Sequence, residues 1–282
     1  MPRVHVVTDS SSDLSAVLRA QRGIAMVPLY IIFGDESYRD QAEIGTEAFY
    51  QKMATSSVLP RTSQPSPADF LEVYRAVSEP GDTIVSVHLS HKLSGTMQSA
   101  NMAKDMIEDR QVLVVDSGSV SSGLGMAALA AADAARAGRP GDEVAKTAAE
   151  VAARIHHVFA VESLDHLQRT GRIGRATAFL GGLLSVKPLL TIEGGIVAPL
   201  EKVRGKSKVI PRMVEIMQER TPTGRSIVCA LPQGGVPEAA AELEARIRQL
   251  YDVKEWVRGW VGPVVGANAG PGIMGTLWYE VA

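Results

Sequence analysis

"TIVSVHLSHKLSGTMQSANMAKDMIEDRQVLVVDS", residues 83–117, decides the fold. Two short apolar runs, 83–89 and 111–117, flank a helical pattern that starts at Gly95. A strand, a helix and a second strand in that order predict parallel strands joined by a crossover helix. The same alternation runs back to the start of the chain. "VHVVTD" (4–9) is a strand, and "DLSAVLRAQRG" (13–23) is a helix that ends at Gly23. "AMVPLYIIF" (25–33) reads as a further strand. In "ADFLEVYRAV" (68–77), Phe70, Leu71, Tyr74 and Val77 recur at helical intervals, with Pro67 near the start. Two Ala-rich helices, about 122–137 and 142–156, close this half, a doubly wound parallel α/β arrangement.

The texture changes after "HHVFAVES" (156–163). A basic glycine turn, "RTGRIGRA" (169–176), precedes an apolar patch. "LTIEGGIVAPL" (190–200) then reads as a hairpin turning at Gly194-Gly195. Helix, strand and helix are expected at 206–220, 226–231 and 236–250, and "GTLWYEV" (275–281) makes a final strand. Two α/β domains follow, 1–157 and 158–282.

With 282 residues the chain is long enough for two modest cores. A formal net charge of −2 gives no general electrostatic reason to bind nucleic acid or an anionic membrane. The one cysteine, Cys229, lies in the apolar run "SIVCAL" and fits a buried strand in a reducing compartment. The N-terminus enters a strand pattern without a basic, apolar leader. The most apolar stretch, "AFLGGLLSVKPLLTI" (178–192), is broken by Lys187 and Pro188 and falls short of the ~20 residues of a bilayer span. A cytoplasmic monomer without stable membrane insertion is expected.

Three strands end in small hydroxylated residues: "VVTDSSSDL" (6–14), "VHLSHKLSGT" (87–96) and "LVVDSGSVSSG" (113–123). In open α/β sheets ligands bind at the carboxyl ends of strands. Asp9, Ser10, Ser94, Asp116 and Ser117 could therefore gather at one edge, as a site or as a structural network. Ser11, Ser12 and Asp13 read as capping residues. Ser94 opens a helix beside Gly95, so it could be a nucleophile, a cap or part of an anion cradle. A nucleophile needs a base and an orienting acid, and no G-x-S-x-G elbow is present. Unpaired N–H groups at a helix start, a glycine and a hydroxyl favour the cradle. In "RTSQPSPADF" (61–70), Ser66 before Pro67 reads as a helix cap. Thr62, Ser63 and Gln64 lack a structural duty and are site candidates.

"GLGMAA" (123–128) matches G-x-G-x-x-A, but no later strand ends in a ribose-binding acid, so a nicotinamide or flavin cofactor is not expected. The histidines show no metal-ligand spacing.

Taken together and in order, these residues resemble the DegV family of bacterial fatty-acid-binding proteins. The resemblance rests on "TDSSSDL" (8–14), "TSQPSP" (62–67), "LSGTMQSA" (93–100), "VVDS" (114–117), "GRIGR" (171–175), "KPLL" (187–190), "KVRGKSK" (202–208) and "GPVVGANAGPG" (262–272). It implies a fatty acid held in a tunnel between two α/β domains, its tail lined largely by the C-terminal half. Thr62, Ser94 and the backbone at Gly95 would hold the carboxylate, with Ser63 and Asn268 nearby. The family commonly has histidine where this chain has Asn268; an amide donates a hydrogen bond but cannot become cationic. The resemblance also implies a separate ATP-dependent fatty acid kinase, to which the bound acid is presented for acyl phosphate formation and phospholipid synthesis. The carrier itself needs no cofactor and no catalysis. Each buried methylene contributes about 0.8 kcal/mol, so a tail of roughly 16 to 18 carbons would dominate affinity. "AFLGGLLSV" (178–186) is a candidate tunnel wall, with Gly181 and Gly182 leaving room. Two competing readings are a Mg²⁺-dependent phosphotransferase or phosphatase using Asp9 and Asp116, and a lipid-sensing module docking a partner through Arg172, Arg175 and Arg204.

Overall fold

Runs of β-branched residues flanked by glycine and hydroxyl residues set the first strands, and helices with one apolar face cover them. The computed structural model describes residues 3–180 and 186–281. Two compact units are present: one runs to Ala153 and takes in Gly262–Val264, and the other comprises Arg154–Val261 and Val265–Ala282.

The first unit contains, in chain order, β1 (Val4–Asp9), α1 (Ala16–Arg22), β2 (Ile24–Val27), β3 (Tyr30–Phe33), β4 (Glu36–Arg39), α2 (Thr46–Thr55) and β5 (Arg61–Ser63). It continues with α3 (Pro67–Val77), β6 (Thr83–His88), α4 (Thr96–Asp105), β7 (Gln111–Asp116), α5 (Ser122–Arg136) and α6 (Gly141–Arg154). The main sheet has the order β2-β1-β6-β7, every pair parallel. Helices α3 and α4 pack on one face around Phe70, Tyr74, Ile84 and Ala103. Helices α1 and α5 are the other covering pair. The doubly wound expectation therefore holds.

The apolar run 25–33 is not one strand. Pro28 interrupts the ladder, and the chain passes from the parallel sheet into a separate antiparallel sheet of order β4-β3-β5. This excursion matters, because it delivers Thr62 and Ser63 on β5, paired to Ile31 and Tyr30 of β3.

The second unit contains β8 (His156–Ala160), α7 (Asp165–Arg169), β9 (Val186–Glu193), β10 (Ile196–Arg204), α8 (Val209–Arg220) and β11 (Ser226–Gln233). It ends with α9 (Pro237–Leu250), β12 (Asp252–Trp260), α10 (Pro263–Ala269) and β13 (Met274–Glu280). Its sheet has the order β10-β9-β8-β13-β11-β12 and is antiparallel except between β11 and β12. Gly194 and Gly195, both with positive φ, turn the β9–β10 hairpin, as the two-residue loop requires. Alternate residues supply two cores: Val158 and Leu189 join α8 and α9 on one face, while Phe159 and Leu190 join Leu167 and Ile173 on the other.

Strand β12 has no clear apolar signature, because it is an edge strand with Lys254, Glu255 and Arg258 along it. The guanidinium groups of Arg248 and Arg258, both bonded to Glu244, lie over the strand's Trp256 ring, 4.8 and 5.1 Å from the ring centre. Cys229 is fully buried on β11, and burial pushes its thiol up to about 12, far from a reactive thiolate. Among the described residues no helix is long and apolar enough to cross a membrane.

Candidate ligand-binding site

The carboxyl edge of the parallel sheet carries the hydroxyl residues, and they divide by how far their hydrogen-bonding capacity is already used. Asp9 ends β1 and is fully buried. Its Oδ1 accepts from the Ser11 N–H at 3.0 Å and from the Ser11 hydroxyl at 2.5 Å. Its Oδ2 accepts from the Leu89 N–H at 3.1 Å and lies 3.0 Å from Nδ1 of His88. The chain continues inward: His88 Nε2 is 2.6 Å from the Ser86 hydroxyl, which accepts from Tyr74 at 2.9 Å. Asp9, His88, Ser86 and Tyr74 are all buried, so this acid–imidazole–hydroxyl relay ties β1, β6 and α3 together without access for a substrate. Both Asp9 oxygens are committed to protein donors. A Mg²⁺ ion at Asp9 would have to displace them. Among the described residues no group of three or more His, Cys, Asp or Glu is arranged to hold a metal ion.

Ser10 is likewise structural, its hydroxyl accepting from the Leu29 N–H at 3.0 Å. Asp116, at the end of β7, accepts from the Gly118 N–H at 2.8 Å and lies 2.5 Å from Nδ1 of the exposed His91. Ser117 closes its own turn, accepting from the Ser119 N–H. In the next turn Asp13 accepts from Ser121 at 2.5 Å and from the Gly262 N–H at 3.0 Å. Burial raises the Asp13 carboxyl to about 7 and pushes Asp40 well above the usual carboxylate range, with the Asp13 and Asp9 charges adding to that rise at Asp40.

The second group lies one loop away. Ser66 caps α3, and Ser66 with Asp69 forms a reciprocal capping box, so that serine is spent on the helix. The residues before it are differently placed. The Gln64 side chain reaches across to α4, donating to the Ser99 hydroxyl at 3.1 Å and lying directly over Gly95. A Cβ at position 95 would stand 2.0 Å from Gln64 Oε1, so glycine is what allows the 62–64 segment to meet the start of α4. Gly95 holds the N-cap position without a side-chain cap, and half-buried Ser94 pairs its hydroxyl with Thr96 at 2.9 Å. Gln64 thus brings the 62–64 segment up to the start of α4 beside Ser94 and Gly95, with Thr62 half-buried and Ser63 exposed. Hydroxyl, amide and backbone N–H donors at a helix start can hold an anion by hydrogen bonds.

Asn268 belongs to the second unit, half-buried in the last turn of α10 before the positive-φ glycines 270 and 272. Arg172, Arg175 and Arg204 are exposed in the second unit; Arg172 donates to the Thr170 carbonyl, and Arg175 pairs with Glu193. Gly181 and Gly182 lie outside the described residues. Sequence reasoning passed over His88, whose signal was a lone histidine ending a largely apolar run, two residues after Ser86. It also passed over Asp40, a carboxylate that packing buries near Ser10, Asp9 and Asp13.

Comparison with known proteins places these features in a family. The model described as "Uncharacterised protein, DegV family" matches residues 3–281. A DegV domain-containing protein of Streptomyces coelicolor is 41% identical over 276 residues, 97% of each chain. A structure from Thermus thermophilus, described as fatty acid binding of a DegV family protein, superposes with a TM-score of 0.92 at 36% identity, covering 99% of this chain and 100% of that one. The structure of DegV from Bacillus subtilis, described as a fatty acid binding protein, gives 0.90 at 32% identity over 100% of both chains. The chain therefore belongs to the DegV family.

Proposed function

We propose that the protein is a fatty-acid carrier. It binds one long-chain acid and holds the carboxylate with Thr62, Ser94 and the backbone at Gly95. The observation that carries this reading is the meeting of Gln64 with Gly95, which brings the hydroxyl-bearing 62–64 segment to the start of α4. The fatty-acid-binding relatives support the same ligand class. Neutral donors suit a carrier, because they orient a carboxylate without the added Coulombic attraction of a cationic partner.

The finer reading is that the bound acid is presented to a separate ATP-dependent fatty acid kinase, which forms the acyl phosphate that feeds phospholipid synthesis. Exposed Arg172, Arg175 and Arg204 are the docking residues in this scheme. The carrier acts as a cytoplasmic monomer and supplies no catalytic group.

The direct test is mass spectrometry of an organic extract of the purified protein. One long-chain acid per chain is expected, with an alkyl length of roughly 16 to 18 carbons, where methylene burial gives ample affinity. An extract without acid, together with no uptake of added palmitate, overturns the carrier reading. Charge reversal at the three arginines should leave acid binding intact and abolish kinase-dependent acyl phosphate formation. Unchanged phosphorylation removes the docking assignment alone.

A further inference from the structure

Two adjoining cavities in the second unit share a wall. One, of about 270 Å³, lies against His166 and the 269–272 loop; the other, of about 420 Å³, lies between the sheet and the starts of α8 and α9. Glu162 and Gly272 line both. The Glu162 stem crosses directly over Gly272, where a Cβ would come within 2.5 Å of its Cγ. The larger cavity has apolar walls from Ala160, Val161, Ile210, Val236, Ala239 and Met274, and its volume is in the range of small-molecule sites, about 300–1,000 Å³.

Its mouth carries charge. Lys187 hydrogen-bonds the Glu162 carboxylate and also donates to the Glu162 carbonyl at 3.4 Å. Lys206 approaches the other carboxylate oxygen at 3.6 Å. That contact is loose, and the Lys206 side chain is 75% exposed. The Lys187 hydrogen bond is the main reason the Glu162 carboxyl lies below its ordinary range. Glu242, the other acid of the lining, is bound by Arg246. Two ammonium groups thus share one carboxylate above an apolar chamber, which leaves one positive charge in excess.

We propose that this chamber is a second binding site, for an amphipathic anion with an alkyl body and a carboxylate or phosphate head, and that Glu162 is a built-in competitor for the head position. An incoming head takes over Lys206 and Lys187, Glu162 swings off Gly272, and the alkyl body enters between α8 and α9. The site shares no residue with the patch at 62–64 and 94–95 and does not depend on the carrier reading.

The experiment is a titration of the full-length protein, labelled with ¹³C-methyl methionine, with decanoate and separately with decyl phosphate, both below their micelle concentrations. A saturable shift of the Met274 methyl is expected, and the tighter probe identifies the head group. Glu162→Gln should tighten binding roughly two- to fivefold, the value of one exposed ion pair. Lys206→Ala should weaken it, and Ala239→Trp, which fills the chamber, should abolish it. The inference is overturned by an absent shift, by a Glu162→Gln variant that binds no tighter, or by binding that persists with native affinity in Ala239→Trp.

Discussion

The first unit has two serine-rich regions that look alike in sequence and differ in what is left to bind. Around Asp9, the groups Ser86, His88, Ser11 and Tyr74 are buried and bonded to one another. Around Gly95, the groups Thr62, Ser63, Gln64 and Ser94 sit at partial or full exposure beside the start of α4, whose Thr96 N–H donates to the Ser94 hydroxyl at 3.3 Å. Hydroxyl content therefore does not distinguish a site from a brace. The distinction is access: the groups around Asp9 are closed off from solvent, whereas those around Gly95, although Gln64 and Ser94 also bond within the protein, lie where a ligand can reach them.

Breaking the buried region should cost folding and nothing else. Asp9→Ala leaves the Leu89 and Ser11 N–H groups and the His88 ring without their acceptor. Removing one partner of a buried charged network costs about 3–5 kcal/mol. Urea denaturation should show that loss, while the molecules that remain folded bind acid normally. A loss below about 1 kcal/mol, the value of a single ordinary hydrogen bond, would mean that the relay is not what fastens β1 to β6.

Asp13, in the same stretch as Asp9, sharpens the contrast through pH. Its folded carboxyl titrates near 7 instead of 3.8, mainly because of burial. Between about pH 4 and 7 the folded state keeps a proton that the unfolded chain releases, so stability falls as pH rises and levels off above 7. Asparagine has the same shape and no charge. Its Oδ1 can accept from Gly262, and Ser121 can turn to accept from the amide. Asp13→Asn should therefore flatten the slope and gain up to about 4 kcal/mol at pH 8. Chemical denaturation at pH 5 and pH 8 measures it; an unaltered slope places the titrating group elsewhere.

The comparison also explains what was legible in the sequence. Strand and helix order came from local periodicity, which 83–117 displays twice over. Caps such as Ser66 were legible because partner and donor lie three residues apart. The small β3–β5 sheet was not, because "AMVPLYIIF" carries one continuous apolar signal and only Pro28 marks the change of sheet. Thr62, Ser94 and Gly95 were legible as candidates by residue type. That Gln64 lies on Gly95 was not, since it depends on a contact between α4 and a loop of another sheet. His88 and Asp40 were missed for the same reason: tertiary packing brings Asp9 to His88 and buries Asp40 near Ser10, Asp9 and Asp13.

Perturbing the open region should spare stability and touch binding. Gly95→Ala puts a methyl group where the Gln64 amide lies, and the flexible amide must swing away from Ser99. The lost bond costs at most about 1 kcal/mol of stability, small beside the Asp9 effect, while displacing Gln64 from the start of α4 should raise the dissociation constant for palmitate about fivefold. A Gly95→Ala protein with native affinity would show that the Gln64 contact is packing alone.

The smallest effects are those of the hydroxyls themselves. Thr62→Ala and Ser94→Ala should each cost about 1 kcal/mol of headgroup fixation. Against a tail that gains about 0.8 kcal/mol per methylene, such losses are easily hidden, and a long acid should still copurify with the double variant. They become visible as chain length falls, because the head then carries a larger share of the total. Isothermal titration with acids of decreasing length should show the variant and native proteins differing by a constant free energy at every length. A difference that shrinks with the tail would mean that these hydroxyls support the alkyl channel and that the carboxylate is held elsewhere.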